Sequence, residues 1–577
     1  MRVSTFNELP VSRSMLRRFG GYCHRLYIGE DEFYDMGNLS SDCYPLLSPR
    51  RRRGSILTLE KANGLFAKQK LIWVNGSTLY YNGAPVGQVA DSEKQFVSMG
   101  AYVLIFPDKK VLDTTTLTLK DMEAAFSTVG TTTYTLTKED GTPYDTPTVS
   151  ATAPEEPEDG ALWMDSASTP HTLKQFSAYS AAWVPIATTY IRIGATGIGA
   201  LFGEGDGITI SGSILEALNA ECIVQRRGED YLVVIGILDE ALSQSTALSV
   251  QRKVPDMEFL TEHNNRVWGC NSEKHEIYAC KLGDPWNWNC FAGLSTDSYA
   301  VTVGSDGDFT GAASYLDYIL FFKADRVHIV QGTKPANFQV MMQIMRGVEK
   351  GSEKSLAMVN EVLIYKSPEG ICAYTGGQPV PLYEAFGNVR YKNAVAGAFR
   401  GKYYVSMQEE QGSRHLFVYD LARQLWHRED TLHAKYFAKL GDELYYITDG
   451  GLIGTVAGST KLYEGAAEEG ARESEVEWFA ETGEWGMDSP DQKYISRILL
   501  RMTAEPGSRV TVCVQYDSSG IWEQKRTLTA GTRRTFTIPL IPHRCDHMKL
   551  RISGTGSCKI FSISKEIEQG SELNGRF

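Results

Sequence analysis

Six short stretches of this chain repeat one pattern of polar and apolar positions. They are 101–106 (AYVLIF), 265–270 (NRVWGC), 317–322 (DYILFF), 361–366 (EVLIYK), 401–406 (GKYYVS) and 442–447 (DELYYI). Each is rich in aromatic or β-branched side chains. Each is followed by a polar turn and a second apolar run, such as Val327-His328-Ile329-Val330 or Leu416-Phe417-Val418-Tyr419. Apolar run, turn, apolar run predicts a β-hairpin. From Val267 the anchors recur at Ile319, Leu363, Tyr404 and Tyr445, in steps of 52, 44, 41 and 41 residues. A period of about 40–50 residues with several strands in each predicts a β-propeller. Two stacked sandwiches would give part of the same spacing.

The pattern divides the chain. Residues 1–60 lack it and are read as an irregular N-terminal arm. Strand pairs begin with Leu71-Ile72-Trp73-Val74 and Leu79-Tyr80-Tyr81, joined through Asn75-Gly76, a type I′ turn signal. The first part of the propeller is thus 61–113 and its second part 256–460. Residues 114–255 break the repeat and are read as inserted β-rich modules, since propeller loops accept insertions. A polar stretch at 461–475 is read as a linker. Alternating runs such as Arg509-Val510-Thr511-Val512-Cys513-Val514-Gln515 then predict a β-sandwich over 476–577. Truncation from about residue 476 is accordingly expected to leave the propeller folded.

Composition adds limits. The 577 residues carry a net charge of -12, which argues against a broad, sequence-independent grip on nucleic acid. Ten cysteines form no C-x-x-C pair and are expected to be free, mostly buried thiols of a reducing cytosol. Residues 1–16 show no apolar signal-peptide core. The longest strongly apolar run, 232–238 (LVVIGIL), is too short to span a bilayer.

Candidate chemistry is sparse. There is no G-x-S-x-G, H-E-x-x-H or P-loop, and no cofactor motif. Gly194-Ala195-Thr196-Gly197-Ile198-Gly199 is a glycine run with no helix after it. His427-Arg428-Glu429 matches the H-x-E of zinc deaminases without their P-C-x-x-C. His543, Cys545 and His547 share a spacing open to a metal, but no fourth ligand is evident. Asp306 and Asp308 lie in part of a sialidase-like Asp-box turn that occurs once. Trp163, Trp183, Trp286 and Trp288 could stack on sugars, although Trp in strand-rich domains is more often core. Arg50, Arg51, Arg52 and Arg53 form a basic run on an acidic chain. They read either as a solvated loop or as an assembly contact to an acidic partner.

Three segments carry a family resemblance. Residues 38–50 (NLSSDCYPLLSPR) are similar to the opening of virion proteins of phages and prophages. Residues 265–269 (NRVWG), followed by Ile277-Tyr278-Ala279 and Gly283-Asp284-Pro285-Trp286-Asn287-Trp288, resemble their propeller. So do 317–323 (DYILFFK) with 328–332 (HIVQG). The family is the tail nozzle of short-tailed phages, also called tail tubular protein B or packaged-DNA stabilisation protein. The resemblance covers roughly 38–113 and 255–456, and none of its motifs is catalytic. It implies a propeller usually counted as six-bladed. It also implies a homohexameric ring in the virion tail, made in the host bacterial cytoplasm and placed below the portal and its adaptor. Such a ring retains packaged DNA and conducts it on ejection, without sequence-specific contact. Other implied partners are tail fibre or further tail proteins, with no membrane and no cofactor. A carbohydrate-binding tail or baseplate protein is the alternative, and a propeller glycosidase or lyase a third.

Overall fold

The computed structural model describes residues 11–462, 470–488, 492–529, 532–541 and 543–569. Their regular structure is strand, apart from five single-turn 3-10 helices. Six four-stranded sheets and one five-stranded sheet of blade type follow one another: blade 1 (62–88), blade 2 (95–121), blade 3 (259–302), blade 4 (311–344), blade 5 (357–381), blade 6 (391–428) and the five-stranded blade 7. The β-propeller expected from the repeat is therefore present, and seven sheets of blade type are found among the described residues where the family resemblance implies six. The hairpins at 71–81 and 101–113, read from the sequence as two strand pairs, belong to separate blades; the first is not among the six repeated runs.

The repeated runs are the second strands of the blades. Leu71–Asn75, Tyr102–Phe106, Arg266–Asn271 and Lys402–Glu409 have neighbours on both edges and both faces. That is why they read as continuous apolar runs rather than alternation. Blade 7 takes three strands from 434–455 (Ala434–Leu440, Glu443–Thr448, Leu452–Thr455). Its fourth is Gly54–Thr58, with Leu452 opposite Thr58 and Thr455 opposite Gly54. A fifth short strand, Ala471–Arg472, lies on the outside of Gly54–Thr58.

The chain forms two compact units, 1–93 with 322–327 and 343–577, and 94–321 with 328–342. In the first, the inner strands of blades 5, 6, 7 and 1 pack in that order. In the second, those of blades 2, 3 and 4 do so, and blade 4 supplies residues to both units. The second unit also holds the insertion. Ala124–Ser127 enters it and pairs with Ser249–Arg252 as the chain leaves. Both belong to an eight-stranded sheet around a core with Tyr134, Ile193, Leu232 and Val250, and a four-stranded sheet over 148–185 lies between them in the chain.

The first unit contains the sandwich, and here the N-terminal arm departs from expectation. Val11–Leu16 pairs with Cys558–Gln569, and Phe33–Gly37 pairs with Glu477–Thr482. The arm thus supplies one strand to each sandwich sheet and one to blade 7, so it is not irregular. Its short runs carry no repeat of their own because each finds its partners hundreds of residues away. One hydrophobic core joins arm, blades 5 and 6, and sandwich: Phe19, Tyr22 and Met36 pack with Tyr403, Phe417 and Trp426, and with Ile498, Val512 and Ile552. Of the expected linker, residues 463–469 lie outside the described residues. Residues 470–475 run beside the arm, where Glu473 is bound by Arg50.

Candidate functional site

The four arginines divide. Arg50 and Arg53 point inward and are buried, whereas Arg51 and Arg52 are exposed. Arg50 grips Glu473 with both terminal nitrogens, at 2.6 and 3.0 Å, and its Nε donates to Asn38 Oδ1 at 2.7 Å. Arg53 donates to Glu429 at 2.5 Å and to Asp430 at 2.6 Å, and its backbone N–H reaches Glu473 at 2.9 Å. Burial opposes a charged Arg53, but Asp430 and Glu429 outweigh it and raise its pKa further. Burial likewise works against the Asp430 carboxylate, and Arg53 and Arg50 hold its pKa below the ordinary value. The reading of all four arginines as an outward contact is therefore corrected for Arg50 and Arg53. Buried guanidinium groups need carboxylates, and the fold supplies three. Arg51 pairs with Asp42 at 3.2 Å near the surface.

His427 and Glu429 do not form a metal or acid–base pair. Glu429 is committed to Arg53. His427 is buried, and burial, reinforced by Lys402, pushes its pKa down to about 4, so it stays neutral near pH 7. The other candidates are also held apart. His543 stacks on Tyr516 at 4.4 Å, Cys545 donates to the Lys493 carbonyl, and His547 sits between Asp546 and Ser518. Among the described residues, no group of three or more His, Cys, Asp or Glu side chains is placed to hold a metal. The turn carrying Asp306 and Asp308 is tied to blade 3 by the Phe309 N–H donating to Ser272 at 3.0 Å. In the glycine run, Asp230 already accepts from the Gly197 N–H at 2.7 Å. Trp163 and Trp288 are core, each donating its indole N–H to a backbone carbonyl. Trp183 packs edge-on against Trp163, and Trp286 against Tyr102.

The site that stands out was not read from the sequence. A cleft of about 540 Å³ opens between the end of blade 6 and the outer face of one sandwich sheet. Strand register builds that face. Across Glu477–Thr482, Met548–Thr555 and Arg509–Tyr516 the rows are Glu477, Thr555, Arg509; then Phe479, Ser553, Thr511; then Glu481, Arg551, Cys513. Their neighbours Trp478, Ala480, Ile552, Val510 and Val512 alternate into the core. Two glycines beside the cleft leave no room for a side chain. A Cβ at Gly37 would fall 2.6 Å from the Phe479 ring, and one at Gly554 2.4 Å from the Arg509 carbonyl.

Three guanidinium groups, Arg428, Arg509 and Arg551, and three carboxylates, Glu429, Asp430 and Glu477, line the cleft. Arg428 donates to the Met36 carbonyl at 2.8 Å and pairs with Asp35 at 2.9 Å. Arg551 lies over the Phe479 ring at 4.7 Å and Arg428 at 5.7 Å, so the ring carries a cation against it twice. Asp35 and Glu481 stand opposite each other, and burial raises the pKa of both. Among the described residues neither Arg509 nor Arg551 forms an ion pair with a carboxylate. A sequence signal existed in the alternation around Phe479, but nothing local tells an outer sheet face from a functional one.

No family model matches the chain, and no curated protein does. Among solved structures it is similar to BamB from Moraxella catarrhalis, at 10% identity over 69% of this chain and 95% of that one, with a TM-score of 0.32. It is similar to PorZ, a bacterial surface component of the type-IX secretion system of Porphyromonas gingivalis, at 11% identity over 77% of this chain and 44% of that one (TM-score 0.27). It is also similar to an exo-β-1,3-galactanase from Phanerochaete chrysosporium, at 10% identity over 53% and 94% (TM-score 0.21). Likeness at this level says nothing about what the chain binds or does.

Proposed function

We propose that the chain is a non-enzymatic structural protein of a phage tail, a nozzle subunit whose homohexameric ring below the portal and adaptor retains packaged DNA and conducts it on ejection. One observation carries this reading. One of the three segments that carry the family resemblance, 38–50, ties the arm to blade 6 and to the sandwich. Asn38 donates to the Glu477 carbonyl at 2.7 Å, Ser41 to Asp420 at 2.5 Å, and Arg50 grips Glu473. Leu47 bridges to Ile560. Blade 6, sandwich and N-terminal arm are thereby locked together, as suits a part that transmits load. The acidic net charge suits a wall past which DNA slides without adhering. Light scattering and negative-stain images of concentrated protein test the proposal: six-fold rings are expected, and a monomer at every concentration overturns it. A second reading, a carbohydrate-binding tail or baseplate protein, is favoured by the cleft, whose lining mixes guanidinium, hydroxyl and carboxylate groups.

A further inference from the structure

We propose that the cleft between blade 6 and the sandwich binds a carboxylated saccharide, with Arg509 and Arg551 receiving its carboxylate and Thr511, Ser553 and Glu477 meeting its hydroxyls. The inference deepens the second reading and rests on it only for the ligand being a glycan. Three observations point there. The cleft, at about 540 Å³, has room for one or two sugar rings. Arg509 and Arg551 form no ion pair with a carboxylate among the described residues, Arg551 sensing Glu481, opposite it in register, and Asp35 only through longer-range attraction, while every buried arginine of the neighbouring cluster is matched. A guanidinium left without an internal partner can offer a planar, two-pronged donor to a carboxylate. Arg551 is held against the Phe479 ring, which orients that donor before a ligand arrives.

The remaining lining groups separate a saccharide from an acidic peptide. Peptides dock along open strand edges or by apolar anchors. Here Met548–Thr555 lies between two paired strands and offers no edge. Sugar hydroxyls instead both donate and accept, and Thr511, Ser553 and the exposed Glu477 carboxylate provide both roles along adjacent rows. This explains why an acid lines a cleft whose free cations would otherwise suit any anion.

Titration calorimetry of the full chain with trigalacturonate, neutral galactotriose and hexaglutamate tests this, with Arg551→Gln and Arg509→Gln as variants. Trigalacturonate is expected to bind, and either variant to weaken it about tenfold, as for loss of one charge-assisted hydrogen bond. Galactotriose is expected to bind about tenfold more weakly than trigalacturonate and to be indifferent to the variants. Should Arg551→Gln unfold the sandwich, the exposed Arg509→Gln decides alone. Equal binding of the neutral trisaccharide overturns the carboxylate assignment and leaves the glycan reading standing. No saccharide binding overturns both, and tighter binding of hexaglutamate overturns the ligand class.

Discussion

Arg53 shows what a single residue contributes here. Its side chain is 4% exposed and pairs with Glu429 and Asp430, so Arg53→Ala leaves the buried Glu429 and the partly exposed Asp430 with only the longer contacts to Arg50, at 3.8 and 3.4 Å. A loss of about 3–5 kcal/mol is expected, the usual cost of breaking a buried pair from one side, read as a lower denaturation midpoint. Arg51→Ala and Arg52→Ala should shift it by less than about 0.5 kcal/mol, since both side chains are exposed. The basic run was legible as charge, but its partner Glu473 lies 423 residues from Arg50, a distance no local pattern bridges. The same neighbourhood sets the response to acid. His427 takes up its proton near pH 4 in the folded chain against an ordinary 6.5, so between these values the unfolded chain holds more protons and stability falls as pH falls. That window is worth about 3 kcal/mol at most. Asp430 and Glu473, both with lowered pKa, extend the loss at lower pH as they protonate. Thermal melts from pH 7 to 4 should show the decline, and His427→Gln should flatten its upper part.

At the scale of elements, hairpins were readable and partners were not. The second strand of each blade announces itself because it is buried on both faces. The strand Gly54–Thr58, by contrast, was taken into an irregular arm, because its side chains alternate over only five residues and its pairing lies in blade 7. Sandwich strands were recognisable from their alternation, yet two of the strands completing that sandwich come from the arm. The shared core argues against the expected independence of the sandwich for the same reason. Truncation at residue 476 would bare the face of Phe33–Gly37 and open the core shared with Tyr403, Phe417 and Trp426. Such a variant should bind a hydrophobic dye and melt without a sharp transition, whereas an intact, cooperative melt would show that blades 5 and 6 close without the sandwich. The cleft follows the same logic: its rows exist only once three distant strands are in register.

For the whole molecule, the two outward arginines and the acidic balance bear on assembly. If Arg51 and Arg52 touch a neighbouring copy, their joint replacement by Ala should leave the monomer's melting temperature unchanged and make assembly more sensitive to salt. Mass photometry across a salt series reads this directly, and an identical salt profile for variant and parent would leave them as solvated side chains. The overall plan, propeller interrupted by an insertion and followed by a sandwich, was visible from periodicity alone, because periodicity reports repeated burial. What it could not report is how the plan is tied. The tie has a consequence for synthesis. Thr58 pairs with Leu452, so 394 residues must leave the ribosome after the closing strand before its partner exists. At about 5–20 residues per second that is about 20–80 seconds. For that interval the nascent chain carries an unpaired strand, Gly54–Thr58, together with two sandwich strands awaiting a C-terminal half not yet made. Unpaired edges of this kind invite pairing with other chains. Yield in a cell should therefore depend on chaperone supply and on translation speed far more than the stability of the finished fold would suggest.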